Sequence, residues 1–315
     1  MAHEVEQMAY RGETPWHGLG NKISENSTIE QWQEAAGLNW EVQKHPVHYT
    51  VDDKHFTYKD KFVLARTTDN HPYAIVSTRY RPVQPKEILE FFRDLLARHN
   101  MKIETAGSLK NGAKIWAMAT TGDAYKVSGI DPLLGYLNIA TSYDLSFSTV
   151  AYFTSVRVVC NNTLQASFGD MTNAIRIPHF KEFNIEDVHT KLELGRENWQ
   201  AFTQAVECLN KIKLDMVTAK KVLDYAYKLP EDMEMAMADS NKVHANNVYT
   251  MFEHDKYVGA DLCTGTMWGL LNAQTAYIDH IKRARGQGNR LDSAWYGDGF
   301  NIKQRTFDKL MELAA

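Results

Sequence analysis

The chain has 315 residues, 44% hydrophobic, 11% aromatic and 23% charged, which excludes a disordered or collagenous polymer. Thirty-five Lys and Arg against thirty-nine Asp and Glu give a net charge of −4, so a nucleic-acid contact requires a local basic patch rather than a basic total. The longest apolar stretches, such as Leu133 to Ala140, are strand-sized and carry Gly135 and Asn138 inside, which excludes a membrane-spanning helix.

In chain order, the first signal is a capping box: Ser27 with Glu30 three positions on, followed by Ile29, Trp32 and Ala36 at helical spacing. This predicts a helix that ends at Gly37. From Val47 to about Pro178 the pattern changes to short alternating or β-branched runs: 48–51, 62–66, 73–77, 102–106, 114–119, 136–141, 149–159 and 174–177. They predict one antiparallel, curved sheet. Its hairpin turns are marked by Asp69-Asn70, Lys110-Asn111-Gly112 and Tyr143-Asp144. One helix interrupts the strands: after Pro85, Ile88, Leu89, Phe92, Leu95 and Leu96 form an apolar stripe that packs on the sheet.

Beyond residue 184 the period is helical, with Val188, Leu192, Trp199, Phe202, Val206, Leu209 and Ile212 on one face. Further helices are predicted over 217–228, 267–283 and 302–313. The Met233, Met235 and Met237 segment is either a satellite packing patch or a partner groove. The fold class is α+β: residues 1–44 as an N-terminal segment with one helix, 45–183 as a β-rich core, and 184–315 as a helical region.

The chain begins Met-Ala-His-Glu-Val-Glu-Gln, without the basic and apolar stretches of a signal peptide. Cys160, Cys208 and Cys263 are odd in number and widely spaced, as reduced cytoplasmic thiols are. A cytoplasmic location is the expectation. No Cys-x-x-Cys, phosphate-cradling Gly-x-x-x-x-Gly-Lys, Gly-x-Gly-x-x-Gly or Gly-x-Ser-x-Gly occurs, so neither metal nor cofactor is expected. Gly286-Gln287-Gly288 and Gly297-Asp298-Gly299 read as turns. Cys160 with His179 can be drawn as nucleophile and base, yet a cysteine after two valines reads as a small core residue. The acid pairs Asp52 with Asp53 and Glu253 with Asp255 are adjacent rather than convergent.

Charge is unevenly distributed. Between Lys54 and Lys114 twelve Lys and Arg face six acids, and Lys282, Arg283, Arg285 and Arg290 form a second run without an acid. Arg79-Tyr80-Arg81, read as extended backbone, puts two guanidiniums on one face and a ring on the other. Such a segment is either a phosphate grip beside a stacking ring or a solvated strand over a core tyrosine, and spacing does not choose between them.

Several strings then occur together: Pro15-Trp16-His17-Gly18-Leu19-Gly20, Val76-Ser77-Thr78-Arg79-Tyr80-Arg81-Pro82-Val83-Gln84, Thr141-Ser142-Tyr143-Asp144 and Arg157-Val158-Val159-Cys160-Asn161-Asn162-Thr163-Leu164. Asn272-Ala273, Asp279-His280 and Trp295-Tyr296-Gly297-Asp298-Gly299 follow. In this order they resemble the phage/plasmid-like protein family, a domain of unknown function numbered 932. Where that family commonly reads histidine-aspartate-glycine-serine, this chain has Tyr143-Asp144-Leu145-Ser146. At fold level the arrangement is also similar to the phage single-strand annealing superfamily of RecT and Erf.

These resemblances imply a phage or plasmid protein in the bacterial cytoplasm that binds single-stranded DNA as a homo-oligomeric ring or filament. It would promote annealing without ATP. Arg79, Arg81, Lys86, Lys110, Lys114 and Arg157 would contact phosphates and Tyr80 would stack. Lys282, Arg283 and Arg285 would form a second contact or a subunit edge. Two alternatives stay open: a module that binds and inhibits a host defence complex, and a metal-dependent nucleic-acid enzyme using Asp144.

Overall fold

The computed structural model describes residues 5–12, 20–99, 101–157, 162–164, 175–180, 195–230, 239–257, 259–284 and 287–315. Two sheets form the first half. The larger runs β10-β9-β8-β7-β6-β1-β2, with β11 also pairing with β9. Its strands are β1 (Val5–Tyr10), β2 (Asn21–Lys22), β6 (Lys102–Leu109), β7 (Lys114–Val127), β8 (Asp131–Ser142), β9 (Thr149–Arg157), β10 (Asn162–Leu164) and β11 (Ile175–Ile177). β1 and β2 pair in parallel, and the long central strands antiparallel.

The smaller sheet, β3 (Val42–Val51), β4 (Lys54–Arg66) and β5 (Pro72–Ser77), is separate. The single sheet expected from sequence is therefore two. Asp52 and Asp53 are the reason for the β3–β4 hairpin: both have positive φ, 45° and 59°, the two-residue turn whose twist matches its strands. They are turn residues rather than an acid pair. Lys110, Asn111 and Gly112 likewise turn β6 into β7 with φ of 53°, 54° and 78°. A Cβ on Gly112 would meet the Tyr73 hydroxyl at 2.6 Å, so the turn demands glycine twice over.

α1 (Ile29–Ala35) is capped one residue later than the sequence suggests. Thr28 accepts from the Gln31 N–H at 3.3 Å, and Gln31 Oε1 accepts from the Thr28 N–H at 2.8 Å. Gly37, at φ 65°, closes the helix as expected. α2 begins at Pro85 and runs to His99. Alternation along β7 sends Ile115, Ala117 and Ala119 to one side, where Leu89, Phe91 and Phe92 of α2 share their cluster with Leu64 and Val76 of the small sheet. Trp116 points to the opposite side, into a cluster with Met8, Tyr10 and Leu291.

The second half is helical: α3 (Gly195–Lys211), α4 (Met216–Ala226), α5 (Ser240–Glu253), α6 (Met267–Ala276), α7 (Gln287–Tyr296) and α8 (Asp298–Ala314). α6 is buried at all ten positions, and its three polar side chains each donate a hydrogen bond inside: Asn272 and Thr275 to the Trp268 and Leu271 carbonyls and Gln274 to the Tyr227 hydroxyl. The helix predicted over 267–283 stays α-helical only to Ala276 and then widens into a π turn, Tyr277–Ile281. There Asp279 and Lys303 form a buried ion pair at 2.9 Å. Gly288 and Gly299 lie inside α7 and α8 rather than in turns.

Val127 and Leu133, at the far ends of β7 and β8, enter the helical core, and the buried Trp268 indole donates to Asp131 at 3.0 Å. Sheet and helices thus share a core. Cys160 and the segment holding Met233, Met235 and Met237 lie outside the described residues. Among the described residues, no helix is long and apolar enough to cross a membrane.

Candidate nucleic-acid interface

Three chain segments meet at one end of the sheets around an open cleft of about 600 Å³. They are the turn after β5 (Ser77, Arg79, Tyr80), the β8–β9 loop (Leu145, Phe147, Ser148) and the stretch after β11 (Pro178, His179, Phe180). Each is fixed by local chemistry. Arg79-Tyr80-Arg81 is not extended: the Tyr80 N–H returns to the Ser77 carbonyl at 3.2 Å and makes a turn. Lys44 holds it, donating to the carbonyls of Thr78 at 2.9 Å and Tyr80 at 3.0 Å. The β8–β9 loop closes on itself, with Ser142 Oγ donating to the Phe147 carbonyl at 2.7 Å and the Asp144 carboxylate accepting the Ser146 N–H at 3.0 Å. Leu145 takes φ 65° between them. The Arg81 N–H, donating to the His179 carbonyl at 2.5 Å, ties the first segment to the third.

The walls are aromatic. Tyr80 and His179 stack at 4.8 Å, as do Phe147 and Tyr296 of α7. Tyr80 is half-buried, its hydroxyl donating to the Ser142 carbonyl at 3.3 Å. Burial, and secondarily the Asp144 charge, pushes that hydroxyl above its ordinary value, so it stays a neutral donor. His179 Nε2 faces the Phe147 carbonyl at 3.3 Å, which makes Nε2 the protonated nitrogen. Its Nδ1 is buried with no hydrogen-bond partner among the described residues. Burial holds this imidazole below its usual value, against the weaker upward pull of the carbonyl. Phe180 differs from the other rings: it is 63% exposed at the cleft rim.

The basic residues singled out by sequence separate into groups. Arg79 and Arg81 are exposed, Arg79 lining the cleft. Lys86 is exposed in the first turn of α2, 3.5 Å from Glu90. Lys110 and Lys114 converge on a single carboxylate, Asp292 of α7, Lys110 at 2.6 Å. Lys114 is buried there with its ammonium 5.3 Å from the Phe147 ring. The single carboxylate offsets one of the two charges, and the pair braces the wall of the cleft from behind. Arg157 ends β9. Lys282 is half-buried after the π turn, its ammonium held below the ordinary lysine value by that burial. Arg283 is exposed, and Arg285 lies outside the described residues.

The local surplus of positive charge is smaller than the count in sequence. Three acids from outside that stretch reach into it: Glu6 meets Arg66 and Glu30 meets Arg93, each at 2.6 Å, and Asp292 meets the two lysines. Among the described residues, what remains at the cleft is an exposed guanidinium and an exposed phenyl ring with no lining carboxylate. That set can hold a phosphate and stack a planar base. It offers no nucleophile–base pair among the lining residues, and no cluster of three or more His, Cys, Asp or Glu suited to a metal exists among the described residues.

Lys44, Leu145 and Phe180 were not signalled by sequence. Lys44 and Tyr80 lie 36 positions apart, and no periodicity links them. The sequence pairs His179 with Cys160, whereas in the structure it stacks on Tyr80.

A family model described as Domain of unknown function (DUF932) matches residues 72–295, a span that contains every residue lining the cleft. No curated protein and no solved structure matches the chain.

Proposed function

We propose that this chain, which belongs to the DUF932 family, binds single-stranded DNA at the cleft and promotes strand annealing without ATP, in a phage or plasmid setting. The observation that carries the reading is that exposed Arg79 and exposed Phe180 line one cleft in which no described lining residue is a carboxylate. A single strand offers both things such a cleft binds: a phosphate for the guanidinium and an unpaired base for the ring. Annealing needs phosphate neutralisation and bases held open for pairing, with no bond made or broken.

Arg79 and Arg81 take the phosphates in this reading, and Phe180 replaces Tyr80 as the stacking ring because Tyr80 already stacks on His179. Lys110 and Lys114 position the Phe147 wall through α7. The test is annealing of two complementary labelled oligonucleotides, followed by quenching, with no nucleotide present. Acceleration that grows with protein concentration and disappears with duplex substrate supports the reading. Annealing at the spontaneous rate, from folded protein at saturating concentration, overturns it.

A further inference from the structure

The β3–β4 hairpin continues beyond β5, which pairs only with residues 61–65 of β4. Its outer half is a two-stranded ribbon in which Val47 opposes Tyr58, Tyr49 opposes Phe56, and Val51 opposes Lys54. Cross-strand partners share a face, so Val47, Tyr49, Val51, Phe56 and Tyr58 form one apolar row. His48, Thr50, His55 and Thr57 form the other face and satisfy each other: Thr50 bonds His55 at 3.0 Å and Thr57 bonds His48 at 3.1 Å. Tyr49 stacks on Phe56 at 5.4 Å.

The polar face is complete, whereas the apolar face is bare. Tyr49 is 46% exposed, Val51 50%, Phe56 42% and Tyr58 53%. Alternation along β3 puts His45 on that same face, and His45 opposes Val63, which opposes Ile75, itself 57% exposed. The row therefore runs from the ribbon tip onto the small sheet. A two-stranded ribbon is marginal in water without something on its apolar face, and a bare row of this kind marks a contact surface.

We infer that this face packs against the same face of a second copy of the chain. At roughly 200 Å² per fully exposed side chain of this size, the five exposed residues leave about 500 Å² of surface uncovered. A two-fold contact between two such faces removes about 1,000 Å² in all, the lower limit for a specific interface. Self-pairing also requires a face that does not repel itself. Among the six ribbon positions on this face the one charge is Lys54, beside the turn and away from the central Tyr49 and Phe56. A nucleic-acid strand is the poorer occupant, because the cations on this side, Lys54 at the turn and Lys61 before Val63, flank the row and leave its Tyr49–Phe56 centre uncharged. No residue of the row lines the cleft, so the contact does not use the proposed ligand's own contacts.

The test is sedimentation velocity of the full chain from about 1 to about 100 µM, comparing the unaltered protein with a Tyr49→Ser, Phe56→Ser, Tyr58→Ser variant. The unaltered protein is expected to pass from 36.0 kDa to twice that mass, and the variant to stay monomeric. A mass of one chain at every concentration overturns the inference, as does a variant that still doubles. So does a variant that loses oligonucleotide affinity while keeping its association, since that assigns the face to nucleic acid. If the variant does not fold, hydrogen exchange on the unaltered protein decides: protection of residues 47–58 must rise with protein concentration, and concentration-independent exchange overturns the contact.

Discussion

Asp292 is the residue on which the back wall of the cleft depends, and Asp292→Asn isolates its charge without changing its volume. Its carboxylate holds Lys110 and Lys114, whose side chains are 33% and 6% exposed. Among the described residues, the substitution leaves the Lys114 ammonium in its burial site with an amide oxygen, the Phe147 ring and a second ammonium nearby. Removing one partner of a buried pair costs about 3–5 kcal/mol. The lower end applies here, because Lys110 can turn to solvent and the amide still accepts one hydrogen bond. For a chain of this length, roughly 2 cal/mol/K of unfolding entropy per residue converts about 3 kcal/mol into a fall in Tm of about 5 °C. Circular-dichroism melts and urea midpoints read that change directly. The double variant Lys114→Met, Asp292→Leu should recover most of it, because apolar replacement of both partners removes the desolvation cost as well as the attraction. A fall below about 1 °C for Asp292→Asn would refute the claim that this carboxylate neutralises a buried charge.

Phe180→Ala is expected to weaken oligonucleotide binding about fivefold, the low end of one stacked base at about 1–3 kcal/mol. It should leave the salt dependence unchanged, since no charge is lost. Tyr80→Phe, which removes only the hydroxyl bond to the Ser142 carbonyl, should leave affinity as it is; an equal loss in both variants would mean that Tyr80 touches the base. Acid stability gives a further check. Burial holds folded His179 below the histidine value of 6.5, so the unfolded chain takes up its proton first. Stability is therefore fully present above that value and falls as pH drops through it, and His244 contributes with the same sign. Urea midpoints measured at about pH 7.5 and about pH 5.5 should differ less for His179→Gln than for the unaltered protein, and identical differences would count against a buried neutral imidazole.

The strands were legible because alternation is a local property: 73–77, 102–106 and 114–119 all lie within observed strands. Pro85 announced α2 through its own backbone chemistry. Two helices carry weak signals in the sequence. α7 presents only Leu291 and Ala294 as buried apolar positions, and α5 dilutes its stripe with Asn246, Asn247 and His244, so neither shows a clear helical period. Pairing of the small sheet apart from the large one depends on which edges meet, which no single strand records. At the site, Arg79 stood out as an exposed cation in a basic stretch. The role of Lys114 was hidden because its partner Asp292 lies 178 positions away, beyond any local count of charge. At Tyr80, spacing shows a ring and not the His179 imidazole that already covers it.

Fluorescence anisotropy of a labelled single-stranded oligonucleotide tests the central claim most directly, titrated at several salt concentrations with the unaltered protein and with Arg79→Ala, Arg81→Ala. Each phosphate neutralised on a single strand contributes a slope of about −0.7 in log affinity against log salt. The double variant should therefore bind more weakly on every sequence and lose about 1.4 of the slope. Equal affinity and equal slope in the two proteins, or no binding at low salt by the folded unaltered chain, would contradict the assignment of the cleft to a nucleic-acid strand.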